Sequence, residues 1–193
     1  MKLVLEEEYT EALRKAVEVL KGGGIIIYPT ETVYGIGGNA LDAEVVEKIR
    51  RIKGRGEKPF SVIMGSLEMV RKYCKAEGKT LQHLMEHLPG AYTFILEEKA
   101  PAPFSEKGKI GVRVPLHHFL RKVVLEAGVP LIGTSANLSG KKPSTTLSEV
   151  DDKLLEQADL IIDGGKTHFS EPSTVVDLAE KRIIRKGAGE FSF

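Results

Sequence analysis

The chain of 193 residues predicts an α/β fold with a mixed parallel and antiparallel sheet. Three observations carry this. Short apolar, β-branched runs alternate with segments whose apolar residues recur at helical spacing. The last third is rich in strand-like runs without the helices a wholly parallel sheet would need between them. No repeat, low-complexity tract or linker divides the chain, so one domain is expected over 1–193.

The elements follow in order. Thr10 reads as an N-cap before Leu13, Ala16, Val17 and Leu20, with Gly22 as the stop. Ile25–Tyr28 is a buried strand ended by Pro29. Asp42 opens a helix carrying Val45, Val46, Ile49 and Ile52 and closed by Gly54. Phe60–Met64 is a strand, and Ser66 caps the next helix. Thr80 is expected to cap a helix with Leu81, Leu84, Met85 and Leu88, ended by Pro89-Gly90. Tyr92–Leu96 and Ile110–Val114 read as strands. Leu120, Val123, Val124 and Ala127 form a helix stopped by Gly128, followed by a short strand at Leu131-Ile132. Ser148 caps a helix with Leu154, Leu155 and Ala158. Leu160–Ile162, Thr174–Val176 and Ile183-Ile184 supply the β-rich end.

Composition narrows the function classes. Apolar residues are 41% and charged residues 28%, an ordinary globular balance. The single cysteine, Cys74, excludes an intrachain disulfide and a cysteine-based metal cluster. No apolar run reaches the length of a membrane span. The start, Met1 to Glu8, turns acidic where a secretory signal needs an apolar stretch, so a cytoplasmic protein is expected. The net charge of +1 hides local clusters: Lys48, Arg50, Arg51, Lys53, Arg55 and Lys58 in one segment, Lys181, Arg182, Arg185 and Lys186 in another. Most such runs are solvated surface; a phosphate site is the sharper reading for the first.

Three segments carry chemistry. Tyr28-Pro29-Thr30-Glu31-Thr32-Val33-Tyr34-Gly35-Ile36-Gly37-Gly38-Asn39-Ala40 is polar and glycine-rich, and stands between a strand and a helix, where α/β sheets bind ligands. Gly35-x-Gly37-x-x-Ala40 matches a relaxed dinucleotide fingerprint, yet Pro29 to Tyr34 separate it from the strand and no acidic residue closes a second strand, which argues against a nicotinamide cofactor. Lys53-Gly54-Arg55-Gly56-Glu57-Lys58-Pro59 sets three cations among glycines that let backbone approach a polyphosphate, or stands as solvated surface. Gly133-Thr134-Ser135-Ala136-Asn137-Leu138-Ser139-Gly140-Lys141-Lys142-Pro143-Ser144 reads as a loop of hydroxyls and amide that could cradle phosphate or ribose, or serve as an elaborate turn. His83 and His87 share a helix face without an identifiable third ligand, and read as helix residues rather than a metal site.

The ordered set YPTETVYGIGGNA (28–40), KGR (53–55) with Lys58-Pro59, LPGAYTFIL (88–96), VRVP (112–115), TSANLSG (134–140), STVVD (173–177) and IIRKGAG (183–189) resembles the YrdC-type threonylcarbamoyl-AMP synthases. The resemblance implies a single twisted, open α/β domain enclosing a basic concave cavity. It implies a reaction joining L-threonine, bicarbonate or CO2 and ATP into threonylcarbamoyl-AMP, with pyrophosphate released. A separate threonylcarbamoyl transferase complex would carry the group to tRNA, as N6-threonylcarbamoyladenosine. The family's signature falls on Lys53, Arg55, Ser135 and Asn137 as catalytic residues. Threonine contacts fall on Thr32, Arg113, Gly133 and Ser173, and nucleotide contacts on Arg55, Lys58, Lys109, Ser135, Ser144 and Arg185. Mg²⁺ would enter on the ATP phosphates, with no protein side chain as its ligand.

Residues of this kind suit that chemistry, since cations offset the repulsion between triphosphate and carboxylate and a guanidinium grips a carboxylate through two parallel hydrogen bonds. Two rivals stand beside it. An RNA-binding module without turnover would use the basic clusters, but the chain has no RNP-type aromatic signature; weak tRNA or double-stranded RNA binding is compatible with the enzyme as well. Carbamoyl-adenylate chemistry belongs to related domains in larger proteins with cysteine-rich zinc modules, which a chain with one cysteine lacks.

Overall fold

A computed structural model describes residues 1–54 and 59–193. Its elements are β1 (Lys2–Val4), α1 (Tyr9–Lys21), β2 (Ile25–Tyr28), β3 (Gly35–Gly38), α2 (Ala43–Ile52), β4 (Ser61–Ile63), α3 (Leu67–Tyr73), α4 (Gly78–His87), β5 (Tyr92–Glu97), β6 (Lys109–Arg113), α5 (His118–Ala127), β7 (Leu131–Ser135), a 3₁₀ turn (Leu147–Glu149), α6 (Asp152–Leu155), β8 (Leu160–Asp163), β9 (Thr174–Asp177) and β10 (Arg182–Arg185). Among the described residues ten strands form one sheet in the order β1-β8-β2-β3-β7-β4-β6-β5-β9-β10.

The sheet is mixed, as expected. β1–β8, β2–β8, β4–β6 and β5–β9 pair in parallel, and β2–β3, β3–β7, β4–β7, β5–β6 and β9–β10 antiparallel. Side chains alternate across a strand, and β2 shows the consequence. Ile25 and Ile27 enter one apolar cluster with Val45, Val46 and Ile49 of α2 and Leu84 of α4. Ile26 and Tyr28 enter the opposite cluster with Leu13, Ala16 and Leu20 of α1 and Leu120, Val123 and Val124 of α5. β2 is therefore apolar throughout because helices cover both its faces.

The sequence placed several boundaries well and others poorly. Asp42 caps α2, accepting from the Glu44 and Val45 N–H groups, and Ser66 caps α3, accepting from Met69 N–H. Gly128 closes α5 with φ +74°, a left-handed conformation that glycine adopts without strain. Thr10, however, lies inside α1, whose N-cap is Glu8; the Glu8 carboxylate accepts from Val4 N–H and closes the turn before the helix. Thr80 lies inside α4, which begins at Gly78, and Ser148 lies in the 3₁₀ turn, while Asp151 caps α6. Asp151 accepts from the Lys153 N–H, whereas the N-caps of α1 and α4, Glu8 and Glu77, make no side-chain cap hydrogen bond. The strands β1 and β3 were not expected at all.

Strand β3 explains why the glycine-rich segment is not a dinucleotide fingerprint. Its glycines are packing residues of a hairpin with β2 and do not form a phosphate loop. A Cβ at Gly35 would lie 2.5 Å from the Tyr28 ring, and one at Gly37 would lie 2.0 Å from the Ile132 carbonyl oxygen of β7. At Gly38 it would meet Val45 of α2 at 2.5 Å. The run Gly35-x-Gly37-Gly38 thus lets α2 and β7 approach closely. Gly133, Thr134 and Ser135 likewise belong to β7, longer than the expected Leu131-Ile132.

Candidate active site

A cavity of about 1040 Å³ opens where these strands end, lined from both halves of the sheet. Its first wall is the β2–β3 connection. There Thr30 Oγ1 donates to the Val33 carbonyl at 2.7 Å and accepts from the Thr32 and Val33 N–H groups, satisfying a buried turn with one hydroxyl. That turn delivers Glu31 and Thr32 to Arg113, at the end of β6. Arg113 Nη2 donates to Glu31 Oε1 at 2.8 Å and to Thr32 Oγ1 at 2.7 Å. Both members of the ion pair are buried, with side chains 10% and 7% exposed. His117 N–H reaches Glu31 Oε2 at 3.4 Å. Arg113 Nε is buried and has no partner among the described residues, so the guanidinium retains donor capacity where it lines the cavity.

The opposite wall comes from β5, β9 and β10. Thr93 and Ser173 share a hydroxyl hydrogen bond of 2.8 Å. Arg185 donates to the Ser173 carbonyl through Nε at 3.2 Å and Nη2 at 2.7 Å. Burial lowers the pKa of Arg185, and the positive charge of Arg113 lowers it further. Two guanidinium groups thus line one cavity, an arrangement that suits an anionic ligand.

The remaining expected residues divide into lining and support. Gly133 and Ser135 line the cavity, and the Gly133 carbonyl accepts from Ser61 Oγ at 2.6 Å. Lys109 also lines it, with Nζ donating to Asp177 Oδ2 at 2.9 Å and Glu180 Oε1 at 2.5 Å. These hydrogen bonds, Glu180 first, raise the Lys109 pKa. Thr32, Lys53, Asn137 and Ser144 stand behind the surface instead. Lys53 is 3% exposed, and its ammonium donates to the Ser135 carbonyl at 2.5 Å and to the Asn137 carbonyl. It clips α2 to the segment leaving β7. Asn137 Nδ2 donates to the Leu138 and Lys141 carbonyls and shapes its own loop. Ser144 Oγ donates to the Ala136 and Glu149 carbonyls, and Pro143 takes the lining position beside it. Arg55 and Lys58 lie outside the described residues.

Sequence reasoning missed Glu31, Thr93, His117 and Asp177. The buried Arg113 required a counter-ion, and Glu31 stood one residue from Thr32; Thr93 and His117 left no comparable signal. The described lining is mixed in charge, with a small excess of cations. Five cations (Lys107, Lys109, Arg113, Arg182, Arg185) meet three acids (Glu106, Asp177, Glu180), and Lys109, Arg113 and Arg182 each already hold a carboxylate. One further expectation is corrected: Glu86 comes within ligand reach of His83 and His87.

The sequence pattern of Sua5/YciO/YrdC, described as telomere recombination, matches residues 18–187. The chain belongs to the Sua5/YciO/YrdC family. It is 36% identical over 181 residues to the putative threonylcarbamoyl-AMP synthase of Methanocaldococcus jannaschii, covering 93% of this chain and 86% of that one. It is likewise 36% identical to the mouse threonylcarbamoyl-AMP synthase, over 93% of this chain and 68% of its relative. Among solved structures, Pyrococcus abyssi Sua5 complexed with L-threonine superposes with a TM-score of 0.87 at 30% identity. That match covers 97% of this chain and 57% of the Sua5 chain, so this protein spans little more than half of that relative. Family membership accounts for the mixed open sheet, and the Sua5/YciO/YrdC motifs at 28–40, 112–115, 134–140 and 173–177 supply residues to both walls of the cavity.

Proposed function

We propose that this chain is a threonylcarbamoyl-AMP synthase, a nucleotidyltransferase that makes threonylcarbamoyl-adenylate and pyrophosphate from L-threonine, bicarbonate or CO2, and ATP. The observation that carries this reading is the pair of guanidinium groups, Arg113 and Arg185, facing one cavity across Ser173. Arg113 grips the threonine carboxylate with donors left over from its bonds to Glu31 and Thr32. Ser173 and the Gly133 backbone bound the small side chain. The nucleotide lies toward Ser135, Lys109 and Arg185, with Arg55 and Lys58 on its phosphates. Lys53, Asn137 and Ser144 act by holding the strand end and loop that present Ser135.

In the reaction, the neutral threonine amine adds to CO2 and loses a proton, giving an N-carboxylate. A carboxylate oxygen attacks the α-phosphorus, the new P–O bond forms, and the bond to the bridging oxygen breaks as pyrophosphate departs. Two of the lining carboxylates, Asp177 and Glu180, are engaged with Lys109, and Mg²⁺ would enter held by the phosphates and water. Bound there, Mg²⁺ would supply neutralisation of phosphate charge. The product would pass to a threonylcarbamoyl transferase acting on tRNA, and direct tRNA or double-stranded RNA binding would be weak and salt-sensitive. A cytoplasmic location follows from that role; none of the described helices is long and apolar enough to cross a membrane.

Pyrophosphate release with ATP, Mg²⁺, L-threonine and bicarbonate, each omitted in turn, tests this reading. Release should require all of them, and serine, lacking one methyl, should be about ten- to two-hundredfold poorer. Release that persists without threonine would exclude it, and release with carbamoyl phosphate in its place would point to carbamoyl-adenylate chemistry.

A further inference from the structure

The last turn of α4 lies apart from the cavity lining and carries His83, Glu86 and His87, with one ligand atom of each within 4.8 Å of the others. We propose that these three side chains bind a single first-row divalent ion of the zinc class, at a site separate from the adenylation chemistry. Ligand atoms around a tetrahedral zinc ion lie roughly 3.3 Å apart, as bond lengths near 2.0–2.1 Å require, so closure from the observed spacing needs only side-chain rotation.

Three further observations point the same way. His87 Nδ1 stands 2.9 Å from the His83 carbonyl oxygen. With the proton on Nδ1, as that contact requires, Nε2 keeps its lone pair for a metal, the arrangement that backbone hydrogen bonds impose on ligand histidines. His83 Nδ1 is buried with no partner among the described residues, an unsatisfied atom that reorientation toward an ion would relieve. Glu86 is exposed, and Gln82 Nε2 donates to its Oε1 at 2.9 Å, leaving the second carboxylate oxygen available.

The surroundings suit a bound ion. Phe191 lies 5.6 Å from the His83 ring and 4.9 Å from the His87 ring, and Tyr92 lies 5.0 Å from the His87 ring. These rings exclude water from one flank and restrict the imidazoles. Two imidazoles and one carboxylate select zinc, nickel, cobalt or copper over magnesium and calcium, which take all-oxygen sets. Three protein ligands leave a fourth position for water. All three ligands belong to α4, so an ion here would fix the imidazoles that pack on Tyr92 of β5 and on Phe191.

The test titrates the whole chain with ZnCl2 by calorimetry, and with Co²⁺ by its visible absorption. One saturable site is expected, with His83→Ala or His87→Ala weakening it at least tenfold and removing the Co²⁺ bands. Glu86→Gln, at an exposed position, should weaken binding while leaving the metal-free melting temperature unchanged, which guards against a misfolded histidine variant. Zinc should raise the melting temperature of the parent and not that of His87→Ala. No saturable binding, or equal affinity in the parent and all three variants, would overturn the proposal and leave the cluster as aromatic packing. Threonine-dependent pyrophosphate release is expected to be the same with and without zinc, so failure here leaves the adenylation reading untouched.

Discussion

Glu31 decides how Arg113 is presented. Its carboxylate and the Thr32 hydroxyl take the same guanidinium nitrogen, so the plane of the arginine is set before any substrate arrives. Removing one partner of a buried pair leaves a charge without compensation, which costs about 3–5 kcal/mol. Glu31→Ala should therefore lower stability by roughly that amount in urea unfolding, and raise KM for threonine more than it lowers kcat. Unchanged stability would mean that Arg113 finds another partner. Lys53→Ala is expected to act on the same level: its ammonium ties Ser135 and Asn137 carbonyls together, so the variant should lose both melting temperature and turnover. Lys53→Arg should not restore them, because a planar fork cannot reproduce a point donor between two carbonyls. His117 gives a pH signature. Burial lowers its pKa below the ordinary 6.5, the charge of Arg113 and that of His118 lower it further, and Glu31 opposes. The unfolded chain thus binds a proton that the folded chain does not, and stability, full above about pH 6.5, should fall as pH drops below that value. Equilibrium unfolding between pH 7.5 and 5 should show this slope, reduced in His117→Asn; equal slopes would remove His117 as its source.

The elements show which signals sequence carries and which it does not. Asp42 and Ser66 were legible as caps because each precedes an apolar run at helical spacing and its side chain reaches the first free N–H groups. Asp42→Ala should cost about 1 kcal/mol, whereas Thr10→Ala, inside α1, should lose no cap bond. Strand β3 was illegible: four residues, three of them glycine, have neither alternation nor β-branched bulk, and the strand exists because its neighbours need close approach. Gly37→Ala tests this directly. With the Ile132 carbonyl 2.0 Å from the new Cβ, β3 and β7 must separate, and the variant is expected to be poorly folded by circular dichroism. Wild-type melting would show that the sheet yields there. The candidate site was read in part for the same reason. Arg113, Ser135, Ser173 and Arg185 were named from motifs and do line one cavity, but spacing along a chain cannot distinguish a lining residue from one that braces it, as Lys53 and Ser144 do.

At the scale of the molecule, the cavity exists because a mixed sheet brings distant segments to one rim. The β2–β3 hairpin and the end of β6 build one wall, 82 residues apart at the Glu31–Arg113 contact, and β9 and β10 build the other. The central claim is that threonine carboxylate and nucleotide phosphate occupy this rim together and that CO2 is fixed between them. Mass spectrometry of the nucleotide products, with carbon-labelled bicarbonate and freshly mixed enzyme, measures that claim most directly. The account predicts label in an AMP adduct only when L-threonine, ATP and Mg²⁺ are all present, and loss of that adduct in Arg113→Ala. A labelled adduct formed without threonine, or AMP released with no carbon from bicarbonate at any stage, would contradict it.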